Sequence, residues 1–401
     1  MRTTAESPIR PACRIQQMPP SGIRKFFDLV SQMDDVVTLG VGEPDFVTPW
    51  SIREAAIYAT EHGATRYTSN YGLLELRREL SRFLEKRWGL EYDPATEILI
   101  TVGVSEAVDL AMRAILEPGD EVLVPEPCFV SYKPCVELAG GVPVPVACHA
   151  DRAFHISVED LQAATSSKTK ALIFNYPNNP TGASLTKREL EGIAEFAMRH
   201  NLVVLSDEIY DRLTYDMPHT CFATLPGMID RTVLLNGFSK AYAMTGWRVG
   251  YAAAPAPIVE AMCKIHQYTI MCVSNVPQHA AVEALRNGDS EVNLMVDSYN
   301  HRRRLIVKGL NRIGLPCHMP EGAFYAFPSI KHTGMTSEEF CEKLLKEEKV
   351  AVVPGNAFGE SGEGYVRCSY AASVQSITEA LDRMARFLDR HAADTTAEEA
   401  A

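Results

Sequence analysis

Between Ile98 and Ala253, short apolar runs alternate with stretches whose apolar residues recur at helical spacing, and this alternation constrains the fold more than any other feature. Ile98–Val102, Val122–Val124, Val142–Val146, Ala171–Phe174, Leu202–Leu205, Val233–Leu235 and Val249–Ala253 have the length and apolar content of buried strands. Between them, Val108, Ala111, Met112 and Ile115 mark one face of a helix over Ser105–Leu116, and Leu190, Ile193, Ala194 and Ala197 mark another. Pro118-Gly119-Asp120 punctuates the chain between helix and strand. Strands alternating with helices predict an α/β domain with a mostly parallel sheet between helices.

The C-terminal third has a different rhythm. Helical spacing is found over Arg302–Ile313, over Ser337–Glu347 and at Ile377, Leu381, Met384 and Leu388. Strand-like runs fall at Ala323–Phe327, Val350–Val353 and Tyr365–Ser369. The pattern predicts a smaller α+β domain. The segment up to about Gly42 is too short for its own core and is expected to pack on that domain. The expected organisation is an N-terminal segment at 1–44, a large domain at 45–290, a small domain at 291–391 and a mobile tail at 392–401, where AADTTAEEAA carries no apolar stripe.

Composition excludes several function classes. The 401 residues are 46% apolar, enough for two domains with buried cores. Lys plus Arg is 39 against 51 Asp plus Glu, a net charge of −12 with no basic run, which argues against a nucleic-acid partner. No segment reaches the roughly 18 apolar residues of a membrane span, and Met1–Arg10 lacks the apolar stretch of a secretory signal, so a cytoplasmic protein without a membrane partner is expected. The ten cysteines form no Cys-x-x-Cys pair and read as buried thiols rather than disulfides or a zinc site. The eleven histidines show no metal-ligand spacing.

Ligands of open α/β sheets bind at the carboxyl ends of strands, and four such ends here carry unusual chemistry. Thr101-Val102-Gly103-Val104-Ser105-Glu106-Ala107 is a strand, a glycine and a helix start, the arrangement that binds phosphate through free N–H groups; read alone, it is a turn with Ser105 as helix cap. Asn175-Tyr176-Pro177-Asn178-Asn179-Pro180-Thr181-Gly182 is a stiff turn with amides placed to bond a ligand. In Ser206-Asp207-Glu208-Ile209-Tyr210 an acid ends a buried strand, which is costly unless it meets a cation or caps a helix. In Ser239-Lys240, followed eight residues later by Arg248, a lysine lies among apolar neighbours, where desolvation makes its amine a nucleophile. Together these form the set that pyridoxal 5′-phosphate (PLP) requires.

The chain resembles a class I/II aminotransferase of fold type I, in the aspartate aminotransferase superfamily, from about Pro20 to about Arg390. The resemblance rests on Gly42-Glu43-Pro44-Asp45, PNNPTG (177–182), SDEIY (206–210) and SKAYAMTGWRVGY (239–251), in that order and at that spacing. It implies a PLP-binding large domain, an L-amino acid donor, a 2-oxo acid acceptor and a homodimer with shared sites. It implies that Lys240 tethers PLP and shuttles a proton, and that Asp207 pairs with the pyridine nitrogen. By the same resemblance Tyr210 and Asn179 bond O3′; Arg248, Ser239 and the N–H groups near Val104 and Ser105 hold the phosphate; and Phe129 stacks on the ring. Arg367 and Gly42 would bind the substrate carboxylate, and Tyr67 would reach the neighbouring subunit's phosphate. Two positions depart from the pattern. Gly237 stands where many relatives have Ser or Thr, and Ser105 where some aspartate-specific relatives have Lys. The second departure favours aromatic or large neutral donors over aspartate; the run Arg302-Arg303-Arg304 is read as a solvated helix face with arginine available for a second carboxylate. Aspartate or alanine transamination and a C–S β-lyase of the same fold are the alternatives. A PLP-bound transcription regulator is disfavoured because only about 20 residues precede the match.

Overall fold

The computed structural model describes residues 10–18 and 33–398; the remainder of the N-terminal segment and residues 399–401 lie outside the described residues. Seven strands form the main sheet: β2 (Ile98–Thr101), β3 (Glu121–Glu126), β4 (Val142–Ala147), β5 (Thr169–Asn175), β6 (Val203–Asp207), β7 (Thr232–Gly237) and β8 (Gly250–Ala253). Their order is β2-β8-β7-β6-β5-β3-β4, and only β8 runs antiparallel to its neighbours. The architecture is α/β with a mostly parallel sheet. β2, β5, β6, β7 and β8 are buried along most of their length, as expected of strands covered on both faces.

Helices Gly103–Ile115 and Ala256–Thr269 pack on one another against the sheet, contributing Val108, Met112, Val259 and Met262 to one apolar layer. Helix Lys187–Arg199 buries Leu190, Ile193, Ala194, Phe196 and Ala197 in a second layer. It starts at Thr186, which exchanges hydrogen bonds with Glu189, so two of the four orphan donors of the helix start are satisfied.

The C-terminal third contains β9 (Tyr325–Ala326), β10 (Val350–Ala351), β11 (Val353–Pro354) and β12 (Val366–Ser369). The expected single strand at Val350–Val353 is two: β10 pairs in parallel with β1 (Val37–Thr38), whereas β11 joins the antiparallel sheet β11-β12-β9. β1 thus attaches the N-terminal segment to the C-terminal third. The helix expected from Arg302 starts earlier, at Asp289, and runs to Arg312. The last helix spans Val374–Glu398 and so enters the stretch expected as a tail. Arg302 and Arg303 do not form a solvated face: Arg302 bonds both oxygens of Asp45 at 2.7 and 2.8 Å, and buried Arg303 pairs with Asp216 at 2.6 Å. All ten cysteines are free thiols; Cys13 is exposed, Cys272 and Cys317 are half-buried and the rest are buried. No helix among the described residues is long and apolar enough to cross a membrane.

Candidate active site

The carboxyl ends of β5, β6 and β7 meet the small sheet at a cavity of about 330 Å³. Its lining brings together Gly42, Val104, Ser105, Phe129, Asn179, Asp207, Tyr210, Ser239, Lys240, Arg248 and Arg367 from segments far apart in sequence. Tyr67 is not in the lining and is 79% exposed.

Asp207 is the last residue of β6 and is buried. No helix follows it, so it is not a helix cap; its Oδ1 accepts the Ile209 N–H at 3.1 Å, and its Oδ2 accepts the Tyr132 hydroxyl at 2.6 Å. Asn175 on the neighbouring strand donates to the Asp207 carbonyl at 2.7 Å, fixing the strand end. Burial pushes the carboxyl up to about 6, while the Tyr132 and Ile209 bonds hold it down.

Lys240 follows the end of β7. Its Nζ donates to the Gly42 carbonyl at 2.6 Å, and the ammonium lies 5.8 Å from the Phe324 ring centroid. Burial first, and then the charge of Arg367, lower its pKa to about 8, so a useful fraction of the amine is neutral near neutral pH.

Arg367 lies in the middle of β12 and is buried between the rings of Tyr325 and Phe358, with its guanidinium carbon 4.6 and 4.8 Å from their centroids. Nη1 donates to Asn179 Oδ1 at 2.8 Å and Nη2 to the Gly40 carbonyl at 2.7 Å, while the buried Nε has no partner among the described residues. The Asn179 backbone is tied in turn to Asn175 Oδ1 at 3.1 Å. Tyr210 meets Tyr325 hydroxyl to hydroxyl at 2.8 Å. A Cβ on Gly42 would stand 2.7 Å from that Tyr325 hydroxyl, so only glycine passes there.

The strand-to-helix turn is shaped for an anion. Helix Gly103–Ile115 begins after Val102, so Ser105 lies within its first turn and does not cap it. The first N–H groups of a helix have no intrahelical acceptor, and Val104 and Ser105 face the cavity. Gly103 has φ of +69°, and a Cβ there would lie 2.5 Å from Arg248 Nη2. The guanidinium is held by the Thr245 carbonyl at 2.9 Å. Ser239 lines the same cavity. At Gly237 a Cβ would come within 2.9 Å of Gly250 Cα, which explains why no hydroxyl side chain occupies this position. Phe129 lines the cavity and meets Tyr132 edge-on at 5.6 Å.

Sequence reasoning missed Tyr132, Tyr325, Gly40 and Phe358. Tyr132 lies three residues after Phe129, but its link to Asp207 spans 75 residues and leaves no local signature.

The family model "Aminotransferase class I and II" matches residues 34–384. A Bacillus subtilis protein, YugH, whose name places it among aminotransferases without giving a substrate, is 57% identical over 94% of this chain and 97% of its own length. An aspartate aminotransferase of Pyrococcus abyssi is 49% identical over 94% of this chain and 97% of that protein. The crystal structure of an aromatic aminotransferase from Pyrococcus horikoshii superposes with a TM-score of 0.88 at 48% identity, covering 91% of this chain and 99% of that one.

Proposed function

The chain belongs to the class I and II aminotransferases, enzymes that use PLP, and on that premise we propose that it moves the α-amino group of an aromatic or other large neutral L-amino acid to a 2-oxo acid such as 2-oxoglutarate. The observation that carries this reading is the pairing of a desolvated Lys240 amine with two buried ions of opposite sign, Asp207 and Arg367, in one cavity.

The residues fit PLP. The buried carboxylate of Asp207 has no cationic partner within salt-bridge distance among the described residues, and a protonated pyridine nitrogen would supply one. Arg248, Ser239 and the helix start at Val104 and Ser105 form an anion cradle at the other end of the same cavity. When bound, PLP supplies an electron sink for the charge that develops at the substrate Cα.

In this reading Lys240 tethers the cofactor and moves the proton at Cα. Asp207 keeps the ring nitrogen protonated, with Tyr132 holding the carboxylate in its charged form. Tyr210 and Asn179 bond the ring hydroxyl, and Phe129 covers the ring. Arg367 takes the α-carboxylate; its planar fork suits that shape, its stacking rings keep it dry, and its Nε is unsatisfied. Gly42 offers its backbone beside it. Residues 45–290 would form the cofactor-binding unit, and residues 33–44 and 291–391 the smaller unit that supplies Gly42 and Arg367 to the cavity.

The donor preference rests on charge. The cations of the lining are Lys240, Arg248 and Arg367, all assigned above. Val41, Val108 and Ile209 offer apolar surface, and Glu43 is an acid at the rim, which disfavours a second carboxylate on the donor. A homodimer is part of this reading, in which the exposed Tyr67 would reach the partner's phosphate. Ten free thiols suit a cytoplasmic location.

The test compares kcat/KM for phenylalanine, methionine, alanine and aspartate with 2-oxoglutarate as common acceptor. Phenylalanine or methionine should lead. Aspartate ahead by tenfold, about 1.4 kcal/mol of transition-state binding, would overturn the donor assignment, and no transfer from any donor would overturn the whole reading.

A further inference from the structure

We propose that Glu106 and His266, neither of which lines the cavity, are a positioning pair that aims the phosphate-binding turn and thereby sets how tightly PLP is held. The inference rests on the reading that the phosphate sits at the start of helix Gly103–Ile115.

Glu106 lies in the first turn of that helix. An acid there is close to the position a phosphate must occupy, and the two would repel unless the carboxylate is directed elsewhere. Both of its oxygens are turned to the protein. Oε2 accepts the Val102 N–H at 2.5 Å, and Oε1 lies 2.8 Å from His266 Nδ1. A carboxylate only accepts, so Nδ1 carries the hydrogen of this bond.

His266 is a rigid anchor. It is fully buried, in the last turn of helix Ala256–Thr269, and its carbonyl accepts the N–H groups of both Ile270 and Met271. Its Nε2 is buried without a partner among the described residues. Burying a ring nitrogen in this way costs stability, and the bond to Glu106 is the one hydrogen bond of the ring among the described residues. The return is visible only at the other nitrogen, where Glu106 is held.

Glu106 in turn controls the backbone that meets the ligand. Val102 is held on both sides, its N–H by Glu106 and its carbonyl by Arg248 Nη2 at 3.5 Å. Gly103 follows in the left-handed region with Arg248 against it, and a Cβ on Gly250 would stand 2.7 Å from the Val104 nitrogen, so the turn has no slack. The orientation of Val102 therefore sets where the N–H groups of Val104 and Ser105 point. A Glu106 side chain released from His266 loses one of its two anchors and is free to swing toward those same N–H groups, in competition with the phosphate.

The experiment measures PLP affinity of the apo-protein by equilibrium dialysis, and the ³¹P shift of the bound cofactor, in wild type, Glu106→Ala, Glu106→Gln, His266→Leu and His266→Gln. His266→Leu and Glu106→Ala should each weaken PLP binding by about tenfold, the loss expected for a charge-assisted bond, and move the ³¹P resonance. His266→Gln keeps a side-chain donor, and Glu106→Gln keeps an acceptor for Val102, so both should stay near wild type. Affinities within twofold of wild type in Glu106→Ala and His266→Leu would overturn the proposal. So would equal losses in the Leu and Gln variants of His266, which would mark a merely structural histidine. Wild-type protein that takes up no PLP would overturn the functional reading, and the proposal with it.

Discussion

Asp207 and Arg367 are both buried ions without an oppositely charged partner within salt-bridge distance among the described residues, yet they are held in different ways. Asp207 stands at the end of a central strand, and its support comes from the main sheet and the segment beside it: Tyr132, Ile209 and Asn175. Arg367 is assembled from four segments, with Asn179 from the loop after β5, Gly40 from the N-terminal segment, and Tyr325 and Phe358 from the C-terminal third. The acid that would serve the cofactor in the proposed reading is built into one layer. The cation that would serve the substrate exists only when several pieces of the chain come together. Changes near Asp207 should therefore act on chemistry, and changes near Arg367 on substrate capture.

The largest effect tests the first half of that contrast. Asp207→Asn should lower kcat by roughly two to three orders of magnitude with little change in KM, the scale of losing one preorganised electrostatic group; steady-state kinetics at saturating PLP would show it, and near wild-type turnover would break the comparison. Arg367→Lys tests the second half. A point charge replaces a stacked fork, so KM for the amino acid should rise roughly ten- to a hundredfold with a smaller loss in kcat, and a loss confined to kcat would put Arg367 on the wrong side of the division.

Lys240 feels both regions. With a pKa near 8, its neutral fraction rises with pH and levels off above that value. The rate of covalent PLP capture by the apo-protein should thus climb roughly fivefold from pH 7 to 8 and then flatten, whereas a rate still climbing at about pH 10 would indicate an unperturbed lysine. The smallest expected effect is at Tyr132. Its hydroxyl favours the charged carboxylate of Asp207, so Tyr132→Phe should raise the Asp207 pKa above about 6. In the cofactor-free protein the Asp207 titration, followed by ¹³C NMR of the carboxyl, should move up by about one pH unit, since a hydrogen bond to a charged group is worth on the order of 1.5 kcal/mol; an unmoved titration would show that burial alone governs Asp207.

The two regions were also unequally legible in the sequence. The main sheet repeats a local pattern, apolar run then breaker then helix face, so Asp207 and Lys240 could be placed at strand ends from their own neighbourhoods. The strands of the C-terminal third are two to four residues long, too short for periodicity to separate β10 from β11. Arg367 was found through resemblance to a family, and its supports at Gly40, Tyr325 and Phe358 carry no local signal because each contact closes over the chain. The helix Asp289–Arg312 was read only from Arg302 onward, although Val292, Met295 and Tyr299 already carry helical spacing in its earlier turns. Ser105 suits a cap by type, but the helix begins ahead of it, and Glu106 bonds the Val102 N–H from within the first turn.

The lone reversed strand of the main sheet decides how the site is wired. Gly237 at the end of β7 faces Gly250 at the start of β8, so residues 238–249 leave the sheet and return at the same end of the strands. Lys240 departs near the beginning of that arc and Arg248 returns near its end. Had β8 been parallel, the chain would have travelled the length of a strand before re-entering, and Arg248 would stand at the opposite end of the strands from Lys240. The antiparallel turn makes amine and guanidinium a single contiguous cassette whose length is dictated at both ends. Surface loops elsewhere can absorb inserted residues at little cost. Within this arc both ends are pinned by the Gly237–Gly250 register, so the backbone reversal itself holds the Lys240 amine and the Arg248 guanidinium at one end of the same pair of strands.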